Sequence, residues 1–278
     1  MDKHGTTRFA PSPTGPMHLG HVAAARFARD RGRRFLLRFE DIDPGRCRPE
    51  HAAAMEEDMV WLGLQWEGPV RVQSAHLPEY AAVLARLRGM DLLYPCFCTR
   101  TEIAREVAGA GHAPHGPDGA ALYPGTCRHL DPAARADRIA EGRAFAWRLD
   151  MAAASRRAGS LTWCEAGQGR LSGNPEAFGD VVLGRKDAPA SYHLCVTHDD
   201  ALQGVTLVTR GTDLMHATAV HRLLQALMGW PEPHYAHHGL LLGPDGRRLS
   251  KRDGAAAVRA LREAGMPAAE VLRRASLF

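Results

Sequence analysis

Pro11-Ser-Pro-Thr-Gly-Pro-Met-His-Leu-Gly-His21 decides how the rest of the chain is read. Prolines and a glycine make a turn, and two histidines three residues apart close it. The short apolar run Arg8-Phe9-Ala10 before the turn reads as a strand, and Leu19 to Arg31 after it reads as a helix. Such a strand–turn–helix unit brings both imidazoles to the mouth formed by the helix's free amides. A helix N-terminus attracts phosphate, because its first N–H groups lack intrahelical partners and the macrodipole is positive there. Far downstream, Gly243-Pro-Asp-Gly246 leads into Arg248-Leu-Ser-Lys-Arg252, a cationic loop. Together the two segments imply a nucleoside triphosphate site.

The bulk numbers fit an ordinary soluble enzyme. With 278 residues, 45% of them hydrophobic, the chain has material for one large domain or two modest ones. No run approaches the roughly 18 apolar residues of a membrane span. Met1-Asp-Lys-His-Gly lacks the charged-then-apolar order of a secretory signal, so a cytoplasmic protein without membrane partners is expected. A net charge of +4 permits a polyanion partner without requiring one. The cysteines are Cys47, Cys96, Cys98, Cys127, Cys164 and Cys195. Three crowd into residues 96–127, which favours a metal site over a disulfide framework. Three thiolates that close suit a structural zinc ion, Zn2+. Residue type alone points to His112, His115 or His129 as the fourth ligand.

Strand-like and helix-like stretches alternate over residues 6–95. Arg34 to Phe39 suits a buried parallel strand, and Pro49 to Leu62 and Leu77 to Leu87 suit helices, with Glu56, Glu57 and Asp58 as a solvated face. This predicts an α/β fold with a doubly wound, Rossmann-type parallel sheet, whose ligands bind at the carboxyl ends of the strands. Thr99-x-x-Glu102 fits a capping box, Asp131-Pro132 a further helix start. Val181–Leu183, His193–Thr197 and Val205–Thr209 read as strands, and a helix is expected from Thr212 to about Leu227. The expected division is a first catalytic half over 1–95, an inserted subdomain with the zinc site over 96–178, a second catalytic half over 179–245, and a nucleotide loop with a short helical segment over 246–278. Arg26, Arg29, Arg31, Arg33 and Arg34 are read as a solvated helix end, with a tRNA contact as the alternative, and most of the five tryptophans as packing, with stacking on nucleic acid as the alternative.

The chain resembles the class I aminoacyl-tRNA synthetases of the glutamyl type. His18-Leu-Gly-His21 matches the first nucleotide motif of that class and Arg248-Leu-Ser-Lys-Arg252 the second. Arg8 to Gly15, Leu37-Arg-Phe-Glu-Asp-Ile-Asp-Pro-Gly-Arg46, Asp199-Asp-Ala-Leu-Gln-Gly-Val-Thr206 and Arg210-Gly211 match the glutamyl branch in order. The resemblance implies a glutamate site at Arg8, Phe9, Ala10, Pro11, Ser12, Glu40, Tyr192 and Arg210. It implies an ATP site at His18, Gly20, His21, Leu249, Ser250 and Lys251, and zinc held by Cys96, Cys98, Tyr123 and Cys127. Arginine forks suit the two carboxylates of L-glutamate, Glu40 the α-ammonium, and Tyr192 the side chain.

The implied reaction begins with attack of the glutamate α-carboxylate on ATP. It needs alignment and charge stabilisation rather than a general base, which falls to His18, His21, Lys251 and Mg2+. A tRNA hydroxyl then takes the glutamyl group. The family continues into an anticodon-binding region, whereas this sequence ends at Phe278. That shortened end resembles the branch that attaches glutamate to the queuosine base of tRNA(Asp), and a monomer is expected. The alternatives are a truncated ligase that acylates a tRNA 3′ end, another nucleotidyltransferase, or a non-catalytic tRNA-binding paralogue.

Overall fold

The computed structural model describes residues 4–109, 115–188, 190–240 and 257–276. β1 (His4–Phe9), α1 (Leu19–Arg31) and β2 (Gly32–Phe39) form the opening βαβ unit, with β1 and β2 parallel from His4↔Gly32 to Phe9↔Leu37. Parallel strands need a crossover, and α1 supplies it. Its inward face is Val22, Ala23, Ala25 and Ala28. Small side chains there let the helix lie close on the sheet, and the Thr7 hydroxyl donates to Ala28 O across the seam (2.9 Å).

After α2 (Pro49–Trp61) the chain adds β3 (Arg71–Val72) beside β2, then α3 (Leu77–Gly89), β4 (Leu93–Cys96), α4 (Arg100–Gly109), α5 (Pro132–Ala140), β5 (Ala146–Leu149) and α6 (Met151–Ala158). The expected caps form: Thr99 Oγ1 accepts from Glu102 N, and Asp131 accepts from Ala133 N and Ala134 N. β6 (Leu161–Glu165) and β7 (Gly169–Gly173) make an antiparallel hairpin, followed by β8 (Val182–Gly184) and α7 (Tyr192–Leu202). β9 (Leu207–Gly211), α8 (Thr218–Met228) and β10 (His234–His238) complete a second parallel unit, and α9 (Val258–Glu263) and α10 (Ala268–Arg274) lead towards the C-terminus.

β3, β2 and β1 run in one direction from the centre, while β9, β10, β6 and β7 run in the other. The two halves meet where Thr206 N donates to Thr6 O (3.0 Å) and Thr6 N to Thr206 Oγ1 (2.9 Å). Further along, a side chain spans the gap: Arg8 Nη1 donates to Thr209 O (2.8 Å). This reversal of strand order is the switch point at which doubly wound sheets bind ligands. A third, antiparallel sheet of β4, β5 and β8 stands apart. The β6–β7 hairpin, within the stretch read as an insertion, pairs with β10.

Three expectations are corrected. His193–Thr197 is helix, part of α7, rather than strand. Leu194, Cys195, Val196, Thr197, Asp199 and Asp200 are all buried, so the run lacks the polar face that marks a surface helix. Asp58 is only 2% exposed, because α9 packs over α2 and brings Arg262 to 3.7 Å. Burial pushes the Asp58 carboxyl up to about 6. The helix expected from Thr212 starts as a single 3-10 turn, and α8 proper begins at Thr218.

One buried network ties the strands to α7. Arg8 Nε and Arg38 Nη1 both donate to Asp200 Oδ1, each at 2.8 Å. The adjacent Asp199 accepts from Arg71 Nε, Gln73 Nε2 and the Tyr80 hydroxyl. Burial penalises the Asp200 carboxylate, but Arg8 and Arg38 beside it more than offset this and lower its pKa to about 2. Arg38→Ala is expected to cost about 3–5 kcal/mol in urea unfolding, since it leaves buried carboxylates without their counter-charge. Asp200 stabilises the fold above its ordinary value near 4, and that contribution is lost as pH falls towards about 2. An acid titration of the wild type should therefore lose stability across that window, and Asp200→Asn should flatten the loss.

Candidate active site

A cavity of about 360 Å³ lies at the carboxyl ends of β1, β2, β9 and β10. Each element contributes through the residues that follow it or end it. Arg8 and Phe9 end β1, and Ala10, Pro11 and Ser12 lead away from it. Glu40 follows β2, Tyr192 opens α7, and Arg210 lies near the end of β9. His18, Gly20 and His21 face the same cavity from the start of α1. All eight residues expected for glutamate thus meet in one recess with three of the six expected for ATP. Leu249, Ser250 and Lys251 lie outside the described residues.

The two arginines differ. Arg8 commits three donors, two to Asp200 and one to Thr209 O, which leaves one N–H on each of Nη1 and Nη2. Arg210 is 6% exposed, and its Nε and Nη1 have no hydrogen-bond partner among the described residues. Its guanidinium carbon sits 5.6 Å from the Tyr235 ring centroid, and Gln225 Nε2 donates to the Tyr235 hydroxyl (3.1 Å), holding that ring in place. Unsatisfied buried donors cost about 1–3 kcal/mol each. A planar cation that carries this cost inside a cavity has its unmet donors relieved by an anion.

The remaining polar groups set the charge around it. Burial raises the Glu40 carboxyl above its usual range, with Arg38 and Arg8 acting against the rise. Burial also raises the Tyr192 hydroxyl, which keeps its proton at neutral pH. Behind Tyr192, His193 Nδ1 lies 3.0 Å from His221 Nε2. Burial, then Arg210, drives His193 down to about 4 and His221 well below its ordinary value. Both imidazoles are neutral at pH 7 and leave the cationic charge to arginine.

His18 and His21 stack, ring centroids 3.8 Å apart and 21° between planes. Gly20 makes room for them: a Cβ there would lie 3.0 Å from His18 Cε1. The chain leaves the described region at Leu240, on the cavity wall, and returns at Ala257, which forms a β-bridge with His18. Val258 N then donates to Met17 O (2.9 Å). Both ends of the stretch that carries Lys251 therefore border the cavity.

Sequence reading missed Thr14, Asp213, Leu214 and His238, which also line the recess. Asp213 had a signal in Arg210-Gly211 just before it. Gly211 is needed there, since a Cβ would come within 2.5 Å of Asp213 Oδ1 and 2.8 Å of Leu240 Cδ2. His238 had none, because β10 was not recognised as a strand.

A second cluster lies at β4. Cys96, Cys98 and Cys127 bring their Sγ atoms within 4.8 Å of one another. The Tyr123 oxygen is 3.5 Å from Cys98 Sγ and accepts from Cys127 N (2.8 Å). Among the described residues no histidine joins the thiols; His115 and His129 are described, and His112 is not. Three thiols and a phenol oxygen fit a tetrahedral soft-metal site.

A switch-point cavity with paired histidines at a helix start defines the catalytic domain of a class I synthetase. The family model for "tRNA synthetases class I (E and Q), catalytic domain" matches residues 5–278. The chain belongs to that family of aminoacyl-tRNA ligases. It is 46% identical to the "Glutamyl-Q tRNA(Asp) synthetase" of Rhodobacter capsulatus, over 96% of this chain and 98% of that one. It is 45% identical to the protein of the same name from Nocardia farcinica, over 96% and 82%. Among solved structures it is similar to the glutamate tRNA ligase of Elizabethkingia meningosepticum in complex with its amino acid (TM-score 0.74, 30% identity, 90% of this chain). The chain spans about half, 52%, of that ligase. Among the described residues no helix is long and apolar enough to cross a membrane.

If Arg210 is there to bind rather than to hold the fold, Arg210→Met should leave thermal stability unchanged or raise it by roughly 1–3 kcal/mol. Calorimetry checks this: a drop of several degrees in Tm would make Arg210 a structural residue.

Proposed function

We propose that this protein activates L-glutamate with ATP and transfers the glutamyl group to the queuosine base of tRNA(Asp). The observation that carries the reading is Arg210, buried in the cavity with two donors unmet beside the half-committed fork of Arg8. Two cationic groups in one small recess suit an amino acid with two carboxylates, and Glu40 suits its ammonium. The names of the relatives from Rhodobacter and Nocardia support the acceptor.

In the first step a glutamate α-carboxylate oxygen attacks the α-phosphorus of ATP. A P–O bond forms, the bond to the β-phosphate bridge breaks, and pyrophosphate leaves with its electron pair. The carboxylate is already ionised, so the residues align and neutralise. The histidine pair and the amides opening α1 face the triphosphate. Lys251 is assigned to the developing charge; it lies six positions before Ala257, a reach of at most about 22 Å from His18's bridge partner. Mg2+, when bound to the phosphates, supplies further charge neutralisation. In the second step an acceptor hydroxyl attacks the activated carbonyl carbon, AMP departs, and the hydroxyl proton passes to solvent or phosphate. The cyclopentene diol of queuosine has vicinal hydroxyls like a ribose, which supports one site serving such an acceptor.

Zn2+ is assigned to Cys96, Cys98, Tyr123 and Cys127, where it would pin β4 to the segment after Tyr123. The stretch after residue 95 is read as the acceptor-side insertion, and the enzyme as a cytoplasmic monomer.

Glutamate-dependent ATP–pyrophosphate exchange, with and without tRNA, tests activation; no exchange in either would leave a non-catalytic tRNA-binding paralogue. Transfer to tRNA(Asp) with and without queuosine, and to tRNA(Glu), then identifies the acceptor; glutamylation of a 3′ end would overturn the queuosine reading. Lys251→Ala should slow exchange by about 10²–10³-fold, the range for loss of one preorganised charge-stabilising group, with far less change in glutamate KM. Purified protein should carry one zinc by elemental analysis, and Cys127→Ser should lose it.

A further inference from the structure

We propose that the groove between α3 and the β5–β8 edge is a stacking slot for an RNA base next to the nucleotide that receives glutamate. The proposal rests on the acceptor's being an RNA, as put forward above. The groove encloses about 440 Å³ and is lined by Trp147, Phe145, Arg88 and Arg185, with Ala81 and Ala85 as small residues on its helical side. Trp147 and Phe145 are only half-buried, so aromatic surface remains open. Phe145 meets Trp147 edge-on, centroids 5.0 Å apart, and the Arg88 guanidinium lies 5.6 Å from the Trp147 centroid.

Two features make this more than core packing left uncovered. Trp147 pairs with Gly184 across the strands, at a register shift between Trp147 and Arg148. A Cβ on Gly184 would come within 3.1 Å of Trp147 Cδ1 and 3.0 Å of Leu84 Cδ1, so the bare glycine is what lets the indole lie there. The second feature is continuity with the active site. Arg185 lines the groove and also a recess of about 230 Å³ that holds Ser12, Thr14, Glu40 and Tyr192, the same residues that wall the main cavity. A nucleotide in that recess has its neighbour at the groove.

The chemistry commits the occupant to single-stranded RNA. Open aromatic faces flanked by arginines stack any base, while guanidinium groups meet the phosphates. No carboxylate lines the groove among the described residues. Arg185 does pair with Asp187, at 2.8 and 2.6 Å, but Asp187 is 66% exposed, so a phosphate competes for the guanidinium at little cost.

Arg88→Glu and Trp147→Leu test the slot, with Arg86→Glu, another exposed position on α3, as the charge control. Three quantities are read: glutamate-dependent pyrophosphate exchange without RNA, KM for queuosine tRNA(Asp) in transfer, and affinity for queuosine tRNA(Asp) by filter binding. Exchange should stay within about twofold of wild type. KM and the dissociation constant should each rise roughly tenfold in Arg88→Glu and Trp147→Leu, the loss expected for one stacked base, and much less in Arg86→Glu. Should Trp147→Leu misfold and lose exchange, Arg88→Glu decides against its control. Equal losses in Arg88→Glu and Arg86→Glu, or no loss in either, overturn the slot. If the wild type transfers glutamate to no RNA, the acceptor reading fails, and tRNA(Asp) affinity alone judges the groove.

Discussion

Asp200 accepts from Arg8 of β1 and Arg38 of β2 through the same oxygen, inside the molecule and nearly out of reach of water. Buried charge is tolerated only when paired and hydrogen-bonded all round. The network comes close to that condition: Arg38 Nε makes no hydrogen bond among the described residues, but it lies 3.8 Å from Asp199 Oδ2. Arg38 also reaches Gln203 Oε1 and Glu40, and the next residue of α7, Asp199, engages Arg71 of β3 and Tyr80 of α3. Two consecutive carboxylates on one helix therefore hold three strands in place. The consequence for the cavity is direct: Arg8, Glu40 and Tyr192 each belong to this network or to the first turn of the same helix. Their positions are set before any ligand arrives, so little ordering cost falls on binding.

The same cavity holds one arginine that is largely satisfied and one that is not. Arg8 is a strut with two donors to spare, and Arg210 has Nε and Nη1 unmet. That asymmetry bears on selectivity in the proposed reaction. A neutral amide in place of a carboxylate would leave buried guanidinium charge uncompensated, and sites of this kind discriminate strongly because the penalty is desolvation rather than a missing contact. The neighbouring His193–His221 pair sharpens the effect. Driven neutral by burial and by Arg210, it neither adds cationic charge nor offers a competing anion.

The opening unit was legible because its signals are local. Pro and Gly before His18 mark the turn, and the alanine-rich face of Leu19–Arg31 marks a helix that the structure places at those residues. Cys96, Cys98 and Cys127 were legible by proximity in sequence. What failed was reading burial on all sides. His193–Thr197 looks like a strand because its polar residues, Asp199 and Asp200, come later and point inward to arginines rather than out to water. Asp58 failed for the reverse reason: an acid in a charged run was covered by α9, some 200 residues away. β10 has three histidines in five residues and no apolar alternation, so His238 in the cavity had nothing to announce it. The solvated reading of the arginine run was also incomplete. Arg26 Nη1 donates to Leu272 O and to the Ser276 hydroxyl, binding α1 to α10.

That last contact explains how the end of the chain serves the cavity. Val258 and Val271 are fully buried against the α1 face, in a cluster with Val22, Met55 and Met59. The cluster and Arg26 hold α9 and α10 on the first βαβ unit, and Ala257 is thereby held against His18. The return point of the chain is thus fixed by the hydrophobic core rather than by whatever precedes it. Leu240 is likewise fixed, at the end of the segment leaving β10 and against Gly211. Both described flanks of that stretch are thus set by the first βαβ unit and by β9, the same elements that place the paired histidines and the two arginines of the cavity.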